Sequence, residues 1–138
     1  MKNIIIFALI LISSKAFSLG VANQNSNRTS IIQLISTPEK FDGKIVRVIG
    51  AVNFEFEGNQ LCLHKEDLEN SISENCLWLE VENNSLQTNY LGLTGYNGTY
   101  IILEGIFRKN KKGHMNLFSG SIESINRLDS WNFPRKKK

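Results

Sequence analysis

An alternation of apolar and polar residues with a period of two begins at Val46 and dictates a β-strand. Side chains on a strand point alternately to its two faces, so this pattern predicts one buried and one solvated face. The strand is long, and Gly50 allows it to bend. The buried face is predicted to carry Val46, Val48, Gly50, Val52, Phe54 and Phe56, and the solvated face Arg47, Asn53, Glu55 and Glu57.

Four further segments have the composition of short strands, and turn residues separate them. Gly58-Asn59 predicts a hairpin after the first strand, residues 110–113 form a basic turn before the last one, and a bulge is expected at Gly120. Five short strands bounded by turns are typical of a small barrel or sandwich. The four segments are residues 60–64, 76–81, 99–108 and 115–125, and the inward face of the first two carries Leu61, Leu63, Leu77 and Leu79.

Two helical segments interrupt this strand pattern. Thr29 or Ser30 can cap a short helix whose apolar stripe includes Ile31 and Leu34, and Pro38 starts a further turn. A second, short helical excursion is expected at residues 65–70, between the second and third strands. The predicted fold class is therefore mainly β, a small five-stranded barrel with a short N-terminal helix.

The N-terminal residues have the composition of a signal peptide. Lys2 precedes an apolar run from residue 4 to residue 12, and Ala16-Phe17-Ser18 is a small-x-small cleavage signal. The apolar run is shorter than the roughly 20 residues that span a bilayer, although an uncleaved anchor is the alternative. We expect a signal peptide at 1–18, a disordered leader at 19–28, the barrel domain at 29–131 and a basic tail at 132–138. Cleavage after Ala22 is the second choice, and the protein is expected to be periplasmic or secreted.

Charge is distributed unevenly along the chain. Residues 28–107 contain 5 basic and 11 acidic side chains, whereas residues 108–138 contain 9 basic and 2 acidic ones. Such asymmetry is consistent with an interaction tail, or with a solvated basic hairpin followed by a solubilising terminus.

Residues 34–50, in which a Pro, a Phe and Gly-Lys precede a Val-rich strand that ends in Gly50, resemble the opening of small exported bacterial OB-fold-like proteins. Residues 99–105 and the run Gly120-Ser121-Ile122 are similar to that pattern as well. The resemblance implies a partly open Greek-key barrel that binds extended ligands such as oligonucleotides or oligosaccharides. It implies no catalytic residue. Glu55 and Glu57 on the first strand disfavour nucleic acid as the ligand.

Cys62 and Cys76 lie on neighbouring predicted strands, on the face opposite the leucine stripe. An oxidising compartment favours a disulfide between them, and the alternatives are two free buried thiols or a metal or redox pair. His64 shares the face of Cys62, and His114 begins the last strand, but their spacing matches no recurrent zinc site. We therefore expect no metal and no cofactor.

No nucleophile elbow, phosphate-binding glycine loop or zinc-protease motif occurs in the sequence. Glu55 and Glu57 share a strand face, but acidic pairs on exposed strands are mostly solvated. The protein is therefore expected not to be an enzyme.

An outward polar face with one tryptophan is the candidate binding site. Trp78 is a platform on which a sugar, a base or a partner's side chain can stack, or else it caps the barrel edge beneath a loop such as residues 83–97. Two functions follow: an exported binding module whose ligand is unidentified, or a protein-binding inhibitor or immunity-type protein that acts through its acidic strand face. A monomer is expected in either case. The candidate binding residues are Arg47, Glu55, Glu57, Gln60, His64, Trp78 and Glu80.

Overall fold

A computed structural model describes residues 26–81 and 90–132 of the chain. Its helices are α1 (Ile31–Ser36), α2 (Lys65–Glu69) and α3 (Tyr90–Leu93). Its strands are β1 (Asn27–Arg28), β2 (Ile45–Asn53), β3 (Gln60–Cys62), β4 (Cys76–Leu79), β5 (Thr99–Arg108) and β6 (Ser121–Ser130).

Five of the strands close into a barrel in the order β2, β3, β4, β6, β5, with β5 pairing back to β2. The pair β4–β6 is parallel, and the other four pairs of the ring are antiparallel. The extra strand β1 runs parallel to β2 outside this ring. The structure therefore confirms the predicted fold class, a mainly β, five-stranded, OB-like barrel.

Gly50 lies where β2 changes partners. One edge of β2 pairs with β5 from Ile45 to Val52, while the other edge pairs first with β1 and then with β3. A Cβ atom at residue 50 would lie 2.6 Å from the carbonyl oxygen of Cys62 and 2.7 Å from Cδ1 of Ile31. Only glycine allows the neighbouring strand and α1 to approach this closely.

The helix α1 covers the barrel core as the sequence predicts. Ser30 caps it by accepting a hydrogen bond from the backbone N–H of Gln33 at 3.2 Å. Ile31 and Leu34 are fully buried, whereas Ile32 is 58% exposed. The buried core consists of Ile31, Leu34, Val46, Val48, Val52, Phe54, Leu61, Leu77, Leu79, Leu93, Ile101, Leu103, Phe107, Ile122 and Ile125.

The first predicted strand is too long, and Phe56 is not a core residue. β2 ends at Asn53, and Phe56 is 90% exposed. The chain turns through residues 54–59, where Glu57 has a left-handed φ of 60° that ends the strand geometry. The second strand stops at Cys62 because the chain then turns into α2. In this helix, the carboxylate of Asp67 accepts a hydrogen bond from the backbone N–H of His64 at 2.8 Å.

The last strand is displaced from its predicted position. β6 begins at Ser121 rather than at residue 115, because Met115 and Asn116 have left-handed φ angles of 51° and 66° and belong to a short 3₁₀ turn. The expected bulge at Gly120 is also wrong. The register between β5 and β6 shifts around Gly105 instead, where a Cβ atom would lie 2.6 Å from Cγ2 of Ile122.

The structure describes only parts of the predicted leader and the predicted tail. The sequence predicts that Asn27 and Arg28 belong to a disordered leader, whereas in the structure they pair with Val46 and Arg47. The predicted signal peptide, residues 19–25 of the leader and residues 133–138 of the tail lie outside the described residues. Within residues 26–81 and 90–132, no helix is long and apolar enough to span a membrane.

Candidate functional site

A disulfide joins β3 to β4 on the outside of the barrel. Cys62 and Cys76 are directly opposite each other in the antiparallel pair and form the predicted bond. They share the face opposite Leu61 and Leu77, as strand parity requires, but they are fully buried. Phe118 from the loop between β5 and β6 covers them, and Leu68 of α2 packs alongside.

Trp78 belongs to the same outer cluster and is half-buried. Its ring centroid lies 5.3 Å from that of Phe118, at an interplanar angle of 57°. The backbone of Gly113 approaches the indole so closely that a Cβ atom there would lie 2.5 Å from Cδ2 of Trp78. The cover over Trp78 that the structure describes therefore comes from the loop at residues 109–120, the β5–β6 loop. The sequence suggests residues 83–97 as a possible cover, and residues 83–89 of this segment lie outside the described residues.

A groove with a volume of about 390 Å³ opens beside Trp78. One wall is the loop at residues 54–59, the β2–β3 loop, and the opposite wall is the β5–β6 loop. Trp78 and Glu80 extend from the β4 region between these walls. The lining residues are Glu57, Trp78, Glu80, Lys111, Lys112, Gly113 and His114.

Both walls are fixed by hydrogen bonds to neighbouring segments. The backbone N–H of Phe54 donates to Oδ1 of Asn97 at 2.7 Å, and Nδ2 of Asn97 donates to the carbonyl oxygen of Phe54 at 3.1 Å. In the β5–β6 loop, the hydroxyl of Ser119 donates to the carbonyl oxygen of Glu74 at 2.6 Å. The N–H of Phe118 donates to the carbonyl oxygen of Lys112 at 3.2 Å. The groove is therefore bounded by anchored loops.

Glu123 holds Lys111 in the groove wall. Nζ of Lys111 lies 2.5 Å from one carboxylate oxygen of Glu123, and Nε of Arg108 lies 2.6 Å from the other. The hydrogen bonds from Lys111 and Arg108 outweigh the effect of burial and lower the pKa of Glu123. The pKa of Lys111 is raised, chiefly by its hydrogen bond to Glu123 and with a smaller contribution from the charge of Glu80. Both groups are thus ionised near neutral pH.

Three of the seven sequence-predicted binding residues line the groove: Glu57, Trp78 and Glu80. Gln60 is the direct cross-strand neighbour of Trp78 but is not a lining residue. Glu55 accepts a hydrogen bond from Nδ2 of Asn53 at 2.6 Å.

The remaining two predicted residues lie away from the groove lining. His64 is exposed at the start of α2. Nε of Arg47 forms an ion pair of 2.8 Å with Glu104 across β2 and β5. Burial raises the pKa of Glu104, but hydrogen bonds from Arg47 and Ser26 lower it by a larger amount. The pKa of Glu104 therefore lies below its ordinary value.

Sequence reasoning missed the basic wall. The sequence predicts a solvated turn at Lys111 and Lys112 and a strand start at His114, because strand alternation gives no information about the direction of loop side chains. The one available signal was the concentration of cationic and imidazole side chains next to a glycine. Within the described part of the chain, no cluster of three or more His, Cys, Asp or Glu residues is arranged to hold a metal ion.

Comparisons with protein-family models, with curated proteins and with solved structures find no match to this chain.

Proposed function

We propose that this protein is an exported, non-enzymatic binding module whose ligand occupies the groove beside Trp78. The observation that carries the proposal is the position of Trp78. It lies on the middle strands of the barrel between two anchored loops, and OB-like barrels bind extended ligands with this face and the corresponding loops. A fold does not by itself determine a ligand, so the side chains of the groove must select it.

Trp78 supports the proposal because its ring is only partly covered. Gly113 and Phe118 contact the indole, yet the ring still lines the groove. Its indole N–H is a hydrogen-bond donor next to this apolar surface. Tryptophan is one of the residue types enriched at the energetic centres of binding interfaces.

Export is supported by two separate features. Residues 1–18 have the composition of a signal peptide. The disulfide between Cys62 and Cys76 is of a kind that persists in oxidising compartments.

The test uses three immobilised baits: the natural chain, Trp78→Ala and Trp131→Ala. Each is exposed to periplasmic extract and to nucleotide and glycan arrays, and thermal melting checks that each bait is folded. A groove ligand should be retained by the natural chain and by Trp131→Ala, and should bind folded Trp78→Ala more weakly by about thirtyfold or more. A ligand that folded Trp78→Ala retains with normal affinity would refute the site.

A protein partner is the second candidate, and exposed apolar side chains favour it. Phe56 on the β2–β3 loop is 90% exposed, while Met115 and Leu117 on the β5–β6 loop are 76% and 52% exposed. Aromatic residues and methionine are enriched in protein interfaces. An inhibitor or immunity-type protein would use these side chains together with the acidic residues Glu55 and Glu57. Phe56→Ser should then weaken capture of a protein and leave binding of a small ligand unchanged.

A further inference from the structure

We infer that the two walls of the groove are an interface through which two copies of this chain associate. The inference goes beyond the proposed function, because it needs no ligand, and it differs from the monomer expected from the sequence. It rests on three properties of the β2–β3 and β5–β6 loops: exposed apolar side chains, charges of opposite sign and an anchored backbone.

Both loops expose large apolar side chains beside the groove. Phe56 precedes the lining residue Glu57, and Met115 follows the lining residue His114. In the described part of the chain, three of the five exposed large apolar residues belong to these two loops, namely Phe56, Met115 and Leu117. Apolar side chains that cluster on a surface mark an interaction site.

The two loops carry charges of opposite sign. The β2–β3 loop contains two glutamates and no basic residue, whereas the β5–β6 loop contains three lysines and no acidic residue. Glu123 compensates the charge of Lys111, but Glu57 and Lys112 form no ion pair with another described residue. A polyanion would be repelled by one wall and a polycation by the other, so the best complement is a surface that also carries both signs.

A second copy of the chain is such a surface. Half a turn about an axis along the groove places the β2–β3 loop of one copy against the β5–β6 loop of the other, and the reverse contact forms at the same time. This is the self-complementary arrangement of a twofold symmetric dimer. Glu57 then faces Lys112 of the other copy, and the ring of Phe56 lies beside the sulfur of Met115, a favourable pair. The two grooves face each other, and the Trp78 rings line one shared channel.

The loops are held in place before association. The hydrogen bonds between Phe54 and Asn97 fix the β2–β3 loop, and the bond from Ser119 to the carbonyl oxygen of Glu74 fixes the β5–β6 loop. Phe54 is also buried in the core. Association therefore orders little backbone, which reduces its entropic cost.

The first measurement is sedimentation velocity of the natural chain from about 1 to about 300 µM, a range that covers the micromolar affinities of small interfaces. We expect a species with twice the mass of one chain that dissociates on dilution. Raising the salt concentration from about 0.05 M to about 0.5 M should weaken the dimer, because screening reduces the attraction between oppositely charged walls.

Two charge-reversal variants test the geometry. The first combines Glu55→Lys with Glu57→Lys, and the second combines Lys112→Glu with His114→Glu. Each should weaken self-association about tenfold or more, because walls of like sign then meet. An equimolar mixture of the two should dimerise again, since every contact between unlike variants joins opposite charges. Thermal melting checks that both variants are folded.

A matched control reverses charges on α2, outside the groove lining. It combines Lys65→Glu with Glu69→Lys and should leave self-association unchanged. Phe56→Ser tests the apolar contact without a change of charge. Because Phe56 is almost fully exposed, this substitution should preserve the fold and weaken the dimer.

Any of three results would overturn the inference. The natural chain could remain monomeric up to about 300 µM, beyond the affinity of a specific interface. The α2 control could weaken self-association as much as the wall variants do, or the mixture of the two wall variants could remain monomeric. Since these experiments contain no ligand, their failure leaves the proposed function standing, and failure of the three-bait experiment leaves the dimer standing.

Discussion

Replacing Gly113 with alanine should loosen the β5–β6 loop from Trp78. Gly113 has φ 62° and ψ −156°, a region that residues with a Cβ atom essentially do not adopt, and the strain costs about 1–3 kcal/mol. The new Cβ atom would also lie 2.5 Å from Cδ2 of Trp78, about 1 Å inside the ordinary carbon contact distance. Either the loop or the indole must therefore move.

Gly98→Ala is the matched control for this substitution. Gly98 also has a left-handed φ, 69°, but nothing lies within 4 Å of a Cβ atom built there. Its substitution should cost only the backbone strain, about 1–2 kcal/mol. Gly113→Ala should exceed Gly98→Ala by about 1–3 kcal/mol, because its backbone region is less accessible and because the contact with Trp78 is broken.

The assay is urea unfolding of both variants in the Trp131→Phe background, followed by Trp78 fluorescence. Gly113→Ala should also shift the folded-state emission of Trp78 to longer wavelength, since the indole becomes more solvated. The reasoning is refuted if the two variants lose equal stability and the emission of Trp78 does not change. In that case, the groove wall would not depend on close packing of Gly113 against the ring.

Two further predictions concern the links between strands. Replacing both Cys62 and Cys76 with alanine should lower the free energy of unfolding by about 3 kcal/mol on the chain-entropy model, because the disulfide closes a loop with a sequence separation of 14. A loss below about 1 kcal/mol, measured by urea unfolding, would contradict this prediction. Glu104 and Glu123 have pKa values below the ordinary 4.5, so the stability they contribute is present above that value and is lost as the pH falls through their folded pKa values. Stability measured from about pH 6 to pH 3 should therefore fall less steeply in the double variant Glu104→Gln and Glu123→Gln, and an unchanged slope would contradict this.

The sequence predicted those parts of the fold that depend on neighbouring residues. The strand at residues 99–108 and the helix capped by Ser30 are where the sequence predicts them, because alternation and capping are local signals. Phe56 was misassigned because the alternation continues past the point where the chain turns. The parallel pair β4–β6, one of the five strand pairs of the barrel, carries no local signal in the sequence.

The candidate site was predictable only on its strand side. Parity placed Trp78 and Glu80 on the outer face of the barrel, where the groove lies. Lys112 and His114 come from a loop more than thirty residues further along the chain, and their approach to Trp78 depends on the left-handed backbone at Gly113. No periodicity in the sequence encodes that approach.

The two-residue strand β1 covers part of one edge of β2. Between Ile45 and Gly50, one edge of β2 is not paired by β3, and Asn27 and Arg28 cover part of it by pairing with Val46 and Arg47. Thr29 extends this cover, since its N–H donates to the carbonyl oxygen of Arg47 at 3.0 Å. An uncovered strand edge is a template for aggregation and domain swapping. A chain trimmed to begin at Thr29 would lose the pairing made by Asn27 and Arg28, and we expect it to self-associate more readily through the exposed edge of β2.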